Sequence, residues 1–206
     1  MPRTQAQRSA ATQTALIAAA RRLWGERGYA EVGTPEIAAA AGVTRGAMYH
    51  QYADKAALFG AVIEVVEEDA MERLSAAVLD AEPASPAAAM RIAADAWLRI
   101  ATDPEIRRLV LLDGPAVLGW VAFRELNQRY GLGMTEQLLA SAMEAEELRP
   151  QPVRPLASVL LGAIDEAAMV IAAAEDPATA YSEVSTVVQD VIDGLFLPAK
   201  DSREGP

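Results

Sequence analysis

Apolar residues recur along this chain at intervals of three and four positions, the spacing that places side chains on one face of an α-helix. The first such segment ends at Gly28, a residue type that commonly terminates helices. Its inner face consists of Leu16, Ile17, Ala20, Leu23 and Trp24. The first few residues are polar, and we expect a mobile arm there. The sequence has no strand-like alternation and therefore predicts an all-α protein.

Two short helices joined by a tight turn are predicted between Thr34 and Lys55, the pattern of a helix-turn-helix. Thr34 can cap the first helix, and Pro35 suits its first turn. Gly42 gives the turn the backbone freedom that it needs, and Thr44 can cap the second helix. The inner edge of the first helix is expected to contain Ile37, Ala38 and Ala41.

The second of these helices carries a mixture of polar groups. Met48 and Tyr52 are four positions apart and share one face, so the polar side chains must spread over the rest of the surface. These side chains are Arg45, Tyr49, His50 and Gln51. A cation, a phenol, an imidazole and an amide suit contacts with base edges and phosphates, and Lys55 suits a nearby phosphate. The alternative is an ordinary pair of packed helices with a solvated outer face.

Further helices are predicted over the rest of the chain, separated by Pro, Gly and Asp residues. Their ranges are 54–80, 86–102, 104–112, 121–147, 155–174 and 177–197, with a break at 113–120. The helix 54–80 links the two halves of the chain and is expected to turn Glu64, Glu67, Glu68 and Glu72 outward. Gly131 and Gly133 either kink their helix or let another segment approach it, because two helical glycines cost about 2 kcal/mol relative to alanine.

The helix at 155–174 is apolar around nearly its whole circumference, so an isolated monomer could hardly cover every face of it. Dimerisation through the last two helices is one interpretation, and a monomer's own core is the other. Asp165 and Glu166 interrupt this apolar helix. They either face a bound ligand or pair with Arg or backbone groups across a dimer, because buried acids usually have partners.

The chain has 206 residues, of which 52% are apolar, and a net charge of −11. Residues 1–55 contain seven Lys or Arg against four Asp or Glu, a net charge of +3, so the remainder carries −14. A basic N-terminal part on an acidic body fits a protein with one surface that faces DNA. A charge gradient without function is the alternative.

The composition also narrows the class of protein. The absence of Cys excludes disulfides and thiolate chemistry and fits a cytoplasmic location. Asp165 and Glu166 cut the longest apolar run short of the ~18 residues that a membrane span needs, so we expect no membrane partner. The single His lies in the second helix of the helix-turn-helix, and no Gly-rich phosphate loop or nucleophile motif is present. We therefore expect neither an enzyme nor a metal or other cofactor.

Residues 42–59, GVTRGAMYHQYADKAALF, resemble the signature of the tetracycline-repressor (TetR) family of bacterial transcriptional regulators, and Trp24, Gly28 and Tyr29 extend the match. The resemblance implies an N-terminal three-helix DNA-binding unit, residues 1–55, followed by a larger helical domain for effector binding and dimerisation, residues 56–200. Its pattern implies a DNA-binding set that includes the helix-capping Thr44. Base contacts are expected from Arg45, Gly46 and Ala47, and contacts to the DNA backbone from Thr34, Tyr49, His50, Gln51 and Lys55.

The same resemblance implies two further sites. Dimerisation by the last two helices would involve Leu160, Ala163, Ala167, Val188, Val191 and Leu195. An effector pocket among the central helices would involve Trp97, Trp120, Phe123, Tyr130, Met134 and Glu166, although aromatic and Met residues also fill ordinary cores. The resulting hypothesis is a homodimeric repressor that binds a pseudo-palindromic double-stranded operator and is released by a small, mostly apolar effector. The alternative is a helical small-molecule-binding protein or enzyme without DNA binding.

Overall fold

The computed structural model describes residues 4–197, and every regular element in that range is helical. The elements are α1 (Gln5–Arg27), α2 (Thr34–Ala40), α3 (Arg45–Gln51), α4 (Lys55–Asp80), α5 (Pro86–Ile100), α6 (Pro104–Ile106), a π-helical segment (Arg107–Asp113), α7 (Gly114–Leu118), α8 (Trp120–Glu144), α9 (Val153–Ala173) and α10 (Pro177–Leu195). The prediction of an all-α protein with an N-terminal helix-turn-helix is confirmed.

The helices form two compact units. Within the described range, unit one comprises residues 4–69 and 103–124, and unit two comprises residues 70–102 and 125–197. Both α4 and α8 contribute residues to each unit. This division differs from the boundary expected at residue 55, because the first half of α4 and the segment 103–124 belong with the helix-turn-helix.

Three aromatic rings form the centre of unit one. Trp24 from α1, Tyr29 from the following loop and Phe59 from α4 have ring centroids 4.9–5.5 Å apart. The rings of Trp24 and Phe59 are fully buried, and Trp24 Nε1 donates a hydrogen bond to the Val32 carbonyl at 3.4 Å. Tilted and edge-to-face aromatic pairs contribute about 0.5–1.5 kcal/mol each beyond burial. The cluster therefore fixes α1 to the N-terminal part of α4.

Polar contacts join α1 to the segment after residue 103. The guanidinium of Arg21 donates two hydrogen bonds of 2.8 Å to the carboxylate of Glu105 and also pairs with Asp69. This hydrogen bond to Glu105 is the main reason that the pKa of the Arg21 guanidinium is raised. The backbone N–H of Tyr29 donates to the Asp113 carboxylate at 2.9 Å. Unit one is therefore held together by charged and aromatic contacts between segments distant in sequence.

Unit two is organised around packed helices. In it α9 and α10 lie side by side, and α5 packs against both. A Cβ placed on Gly131 of α8 would lie 2.8 Å from Leu161 Cδ1 on α9. Of the two expectations for the glycines, close approach applies at Gly131, whereas Gly133 has no atom within 4 Å of its Cβ position. α8 continues through both glycines without a break.

One expectation about a helix start is wrong. Thr34 is the first residue of α2 rather than its cap; Gly33 occupies the cap position, and the Thr34 hydroxyl instead lies 3.2 Å from the Tyr49 hydroxyl. The mobile arm expected at the start of the chain falls on residues 1–3, which lie outside the described range, and α1 already begins at Gln5. Thr4 and Gln7 form a capping box that satisfies the first N–H groups of α1.

Two further local expectations need correction. The break predicted at 113–120 contains the short helix α7, and the interruption is confined to Gly119, whose φ of +79° favours glycine. Glu67, expected to face outward from α4, is only 2% exposed. The spacing of residues along α4 therefore did not predict the burial of the Glu67 side chain.

Candidate functional site

The outer face of α3 is positioned by contacts on its inner side. Met48 is fully buried beneath the helix. The Thr44 hydroxyl caps α3 by accepting the Ala47 N–H at 3.1 Å, as the sequence predicted. The preceding turn is closed by a 2.9 Å hydrogen bond from the Val43 N–H to the Ala38 carbonyl, and Gly42 adopts a φ of +69°. One apolar anchor, one cap and one glycine turn thus fix which side chains α3 presents.

Arg45, Tyr49 and Thr34 form a connected polar group in which Arg45 and Tyr49 are exposed and Thr34 is buried. The Arg45 guanidinium lies over the Tyr49 ring, 5.5 Å from its centroid, and the Tyr49 hydroxyl lies 3.2 Å from Thr34 Oγ1. The hydrogen bond with Thr34 lowers the pKa of Tyr49, with a smaller contribution from Arg45. Tyr49 therefore links the start of α2 to the cation at the start of α3, and the ring restricts where that cation can lie.

The remaining residues expected on this surface differ in exposure. Gly46 and His50 are exposed, whereas Ala47 and Gln51 are half-buried. The Gln51 Oε1 accepts a hydrogen bond of 3.0 Å from the Ser9 hydroxyl of α1. A Cβ on Gly46 would meet only Thr44 Oγ1 at 3.9 Å, so the backbone there is accessible from outside. The face thus presents a cation, a phenol, an imidazole and open backbone to one side.

Lys55 has partners within unit one. Its Nζ donates a 2.6 Å hydrogen bond to the Tyr29 carbonyl and lies 4.0 Å from the centroid of the Tyr29 ring. Burial lowers the pKa of Lys55, and the Asp113 charge partly opposes that shift. The ammonium group therefore helps to hold the loop after α1, a contact that the sequence did not suggest.

Several of the N-terminal cations are neutralised by acids. Arg27 pairs with Glu36 at 2.6 Å, Arg22 lies 3.6 Å from Glu26, and Arg21 pairs with acids outside residues 1–55. Within residues 4–197, Arg8 and Arg45 form no ion pair. Three of the seven Lys and Arg in residues 1–55 are therefore paired with acids, and Arg45 is the unpaired arginine placed on α3.

A second polar cluster lies inside unit two, where α5, α8 and α9 meet. Asn127 Nδ2 donates to Asp165 Oδ2 at 3.4 Å. Trp97 is 7% exposed, and its Nε1 and the Asn127 Oδ1 are buried without a hydrogen-bond partner among the described residues. Burial raises the pKa of Asp165 from 3.8 to about 6, and the neighbouring Asn127 and Trp97 side chains partly oppose this shift. Buried unsatisfied polar atoms are uncommon in folded proteins and often mark functional positions.

The raised pKa predicts an unusual pH dependence of stability. Because the folded protein holds the Asp165 proton more tightly than the unfolded chain, this group's contribution to the free energy of unfolding is full below pH 4 and is lost as pH rises through about 6. The variant Asp165→Asn should therefore be more stable than wild type near neutral pH, by on the order of 2 kcal/mol, with a difference that shrinks toward pH 4.

Urea unfolding of both proteins at matched concentration over this pH range measures the difference. A difference between variant and wild type that stays constant with pH would contradict a buried, ionised Asp165.

The six residues expected to bind an effector do not form one group. Trp97, Tyr130 and Met134 belong to unit two, and the latter two share a face of α8 with Asn127 at spacings of three and seven. The exposed Trp120 and buried Phe123 belong to unit one. The sequence analysis also missed Asn127 and separated Asp165 from the aromatic set. Asn127 is the chain's only Asn and lies within a helix, where Asn is unfavourable, and this signal could have identified it.

Glu166 lies on a different surface, an apolar groove between α9 and α10. This groove has a volume of about 390 Å³. Of the six predicted dimerisation residues, five line it and Leu195 does not; the lining residues are Leu160, Ala163, Ile164, Glu166, Ala167, Val170, Glu183, Val184, Val187, Val188 and Val191. Val170, Val187 and Val191 are each at least 50% exposed. The two adjacent acids thus lie on different sides of α9. Asp165 contacts Asn127 inside unit two, and Glu166 lines the groove.

Helix α9 also meets the length and composition of a membrane span, with a mean hydropathy of 1.8. Core helices of soluble proteins meet the same criteria. Among the described residues, no group of three or more His, Asp or Glu side chains could hold a metal ion.

Comparisons with known families match most of the chain. Residues 16–62 match the family model described as bacterial regulatory proteins of the tetR family, and residues 87–195 match the tetracyclin repressor-like C-terminal domain. A crystal structure of a TetR-family transcriptional regulator from Pectobacterium atrosepticum is 30% identical, with a TM-score of 0.85 over 96% of this chain and 100% of that one.

More distant similarities are consistent with the same fold. The regulator RolR in complex with resorcinol has a TM-score of 0.67 at 20% identity, covering 98% of each chain, which shows the fold alone. The HTH-type transcriptional regulator CymR of Pseudomonas putida is 41% identical over 81 residues, 39% of this chain. AcrR of Shigella flexneri is 38% identical over 69 residues, 34% of this chain. The matches span only 40% and 32% of the lengths of these two relatives.

Proposed function

Because the chain belongs to the tetracycline-repressor family of bacterial transcriptional regulators, we propose that it is a homodimeric repressor that binds a pseudo-palindromic operator and releases it when a small, mostly apolar effector binds. The observation that carries the DNA-binding part is the outer face of α3, where Arg45, Gly46, Tyr49 and His50 are exposed above the buried Met48. A short helix with this composition and a fixed inner face suits the major groove.

Within that face, Arg45 is proposed to contact a base, because it is exposed and its direction is restricted by the Tyr49 ring. Guanidinium groups commonly bind guanine through two hydrogen bonds. Tyr49, Thr34, His50 and Gln51 are proposed to contact phosphates, which position a protein without reading sequence. Lys55 is proposed to contact a phosphate as well, with its ammonium group shared between that phosphate and the Tyr29 carbonyl.

Substituting Arg45 with Ala should cost about 1–3 kcal/mol of operator affinity and relax base preference, since a base contact carries sequence information. Lys55→Ala should weaken binding to all sequences alike and reduce the salt dependence by about one phosphate. Fluorescence anisotropy with labelled duplexes over a salt series measures both effects.

Arg22→Ala is the matched control. It also removes one positive charge, but from a residue that lies beside Glu26 on α1. Affinity that is independent of salt, or an Arg45→Ala variant with unchanged sequence preference, would contradict the assigned roles.

The dimer is proposed to form through the groove between α9 and α10. Exposed valines on two adjacent helices form an apolar surface that monomeric soluble proteins rarely leave uncovered. A second copy covers it by twofold symmetry, since a self-complementary patch needs no other partner. We propose that a second copy of the chain, rather than a membrane, covers the groove. Asp165 and Glu166 lie within α9, and a charged carboxylate at the bilayer centre is costly.

The effector is proposed to bind within unit two and to act by shifting the relative populations of the arrangements that do and do not fit DNA. A ligand shifts DNA binding only if it favours the arrangement of reading helices that fits DNA poorly. A tenfold loss of operator affinity requires about 1.4 kcal/mol of such preference. DNA binding and the absence of Cys suit a cytoplasmic protein.

A further inference from the structure

We propose that unit two binds an uncharged apolar molecule through one hydroxyl group, an alcohol or a phenol, whose oxygen is held by Trp97, Asn127 and Asp165. This inference rests on the proposed function, because it names the chemical class of the effector that unit two would bind. It starts from the two polar atoms of the cluster that have no hydrogen-bond partner, the Trp97 Nε1 and the Asn127 Oδ1.

The two unsatisfied atoms are of opposite kinds. The indole Nε1–H of Trp97 can only donate a hydrogen bond, and the Asn127 Oδ1 can only accept one. The Asp165 carboxylate adds a further acceptor beside them. The Asn127 amide donates to it at 3.4 Å, and the Trp97 indole lies close enough to lower its pKa without completing a hydrogen bond of ordinary geometry. The cluster therefore needs a ligand group that both accepts and donates.

A hydroxyl group meets this requirement with one atom. Its oxygen accepts the Trp97 N–H, and its proton is donated to Asp165 or to the Asn127 Oδ1. An ammonium group donates but leaves the indole N–H unsatisfied, and a carboxylate would place a second negative charge beside Asp165. An ether or ketone accepts but offers no proton to the acid.

The rest of the ligand should be apolar. Trp97 is nearly fully buried, and Tyr130 and Met134 follow Asn127 along the same face of α8. Among the described residues, the groups that shift the pKa of Asp165 are the Asn127 and Trp97 side chains and no Lys or Arg, so the carboxylate is stabilised by hydrogen-bond donors alone. A site that must bind a donor beside an acid can reject an analogue that lacks the hydroxyl.

Four compounds with the same body test the assignment. 4-Propylphenol carries the hydroxyl, propylbenzene carries no polar group, 4-propylbenzoate is an anion and 4-propylbenzylamine is a cation near neutral pH. Isothermal titration of the intact protein should give the tightest binding for 4-propylphenol, about tenfold or more above propylbenzene, as expected for a hydrogen bond to a charged group. Equal binding of propylbenzene, tighter binding of either ion, or no binding of 4-propylphenol would overturn the inference.

Variants separate recognition of the hydroxyl from general packing. Trp97→Phe, Asn127→Leu and Asp165→Asn should each reduce the ratio of 4-propylphenol to propylbenzene affinity by about fivefold or more, whereas a purely structural role would weaken both compounds alike. Asp190→Asn, an exposed change of the same charge on α10, should leave the ratio unchanged. A ratio that survives in all three variants contradicts the site, and the use of three variants protects the test against one that fails to fold.

Operator binding without ligand is measured separately. If the protein binds its operator but shows no preference for the hydroxyl compound, the ligand class is wrong and the regulatory function stands. If it binds 4-propylphenol selectively but no duplex DNA, the ligand site stands and the proposed function fails. In wild type, the Trp97 indole N–H resonance, assigned by comparison with Trp97→Phe, should shift further when the protein is saturated with 4-propylphenol than with propylbenzene.

Discussion

Replacing Val191 with Arg is expected to lower operator affinity by about 100-fold or more. Val191 is 51% exposed and lines the groove of α10 and α9, so the proposed dimer would bury it. An Arg there would place two unpaired guanidinium groups near the twofold axis, and a buried charge without a partner is strongly unfavourable. Two linked reading helices bind about 10²–10⁴ times more tightly than one, and the variant should lose that advantage.

Light scattering should find the variant monomeric or aggregated at concentrations where wild type is dimeric, and anisotropy should report the loss of operator binding. Ala163→Arg, on the facing wall of the groove, should behave in the same way. Thr186→Arg introduces the same charge on an exposed position of α10 that does not line the groove, and it should leave both properties near wild type. A Val191→Arg protein that remains dimeric, or a monomer with full operator affinity, would show that the groove serves another purpose.

Replacing Trp24 with Ala is the second change with a large expected effect. It should lower the free energy of unfolding by about 3–5 kcal/mol. The indole is fully buried and contacts both Tyr29 and Phe59, and the substitution would leave a large cavity at the centre of unit one. It would also remove the hydrogen bond to the Val32 carbonyl, just before α2. The helix-turn-helix should then lose its support even though Trp24 is not on the face proposed to meet DNA.

Urea unfolding should measure this loss of stability, and hydrogen exchange should show reduced protection of the backbone amides in α1, α2 and α3. Trp120→Ala removes the same side chain at a 58% exposed position and should change stability by no more than about 0.5 kcal/mol. Equal effects of the two substitutions would mean that the aromatic cluster does not hold unit one together.

The local features of the N-terminal region could be predicted because short-range physics determines them. Thr44 caps α3, Gly42 has a positive φ, Met48 is buried and Gly28 ends α1, all as the spacing of caps, glycines and apolar residues indicated. The all-α class followed from the same periodicity. Close approach at Gly131 was one of two options that the sequence left open.

The errors arose where a distant partner competes with a local preference. Thr34 has the residue type of a cap, but the Tyr49 hydroxyl fifteen residues later lies within hydrogen-bonding distance of it. Arg21 and Lys55 count as positive charges in the sequence, yet Glu105, Asp69 and the Tyr29 carbonyl are their partners. Such pairings depend on the tertiary structure and cannot be derived from spacing along one helix.

The candidate effector residues illustrate the same limit. The resemblance implied one effector pocket for Trp97, Phe123, Tyr130 and Met134, but it could not show that they divide between two units. The sequence also suggested Asp165 and Glu166 as a pair, although adjacent residues on a helix point about 100° apart. Asp165 lies beside Asn127 and Glu166 lines the groove. The polar cluster became visible only when the three helices that carry it were seen together.

The central claim is that two copies of α3, joined by α9 and α10, read the two halves of one operator. Selection of binding sites by the intact protein from a library of random duplexes, followed by determination of the number of chains per selected duplex, tests it directly. The account predicts enrichment of a pseudo-palindrome bound by an even number of chains, with little binding by Arg45→Ala or Val191→Arg. Enrichment of a single asymmetric site bound by one chain, or no enrichment at all, would contradict it.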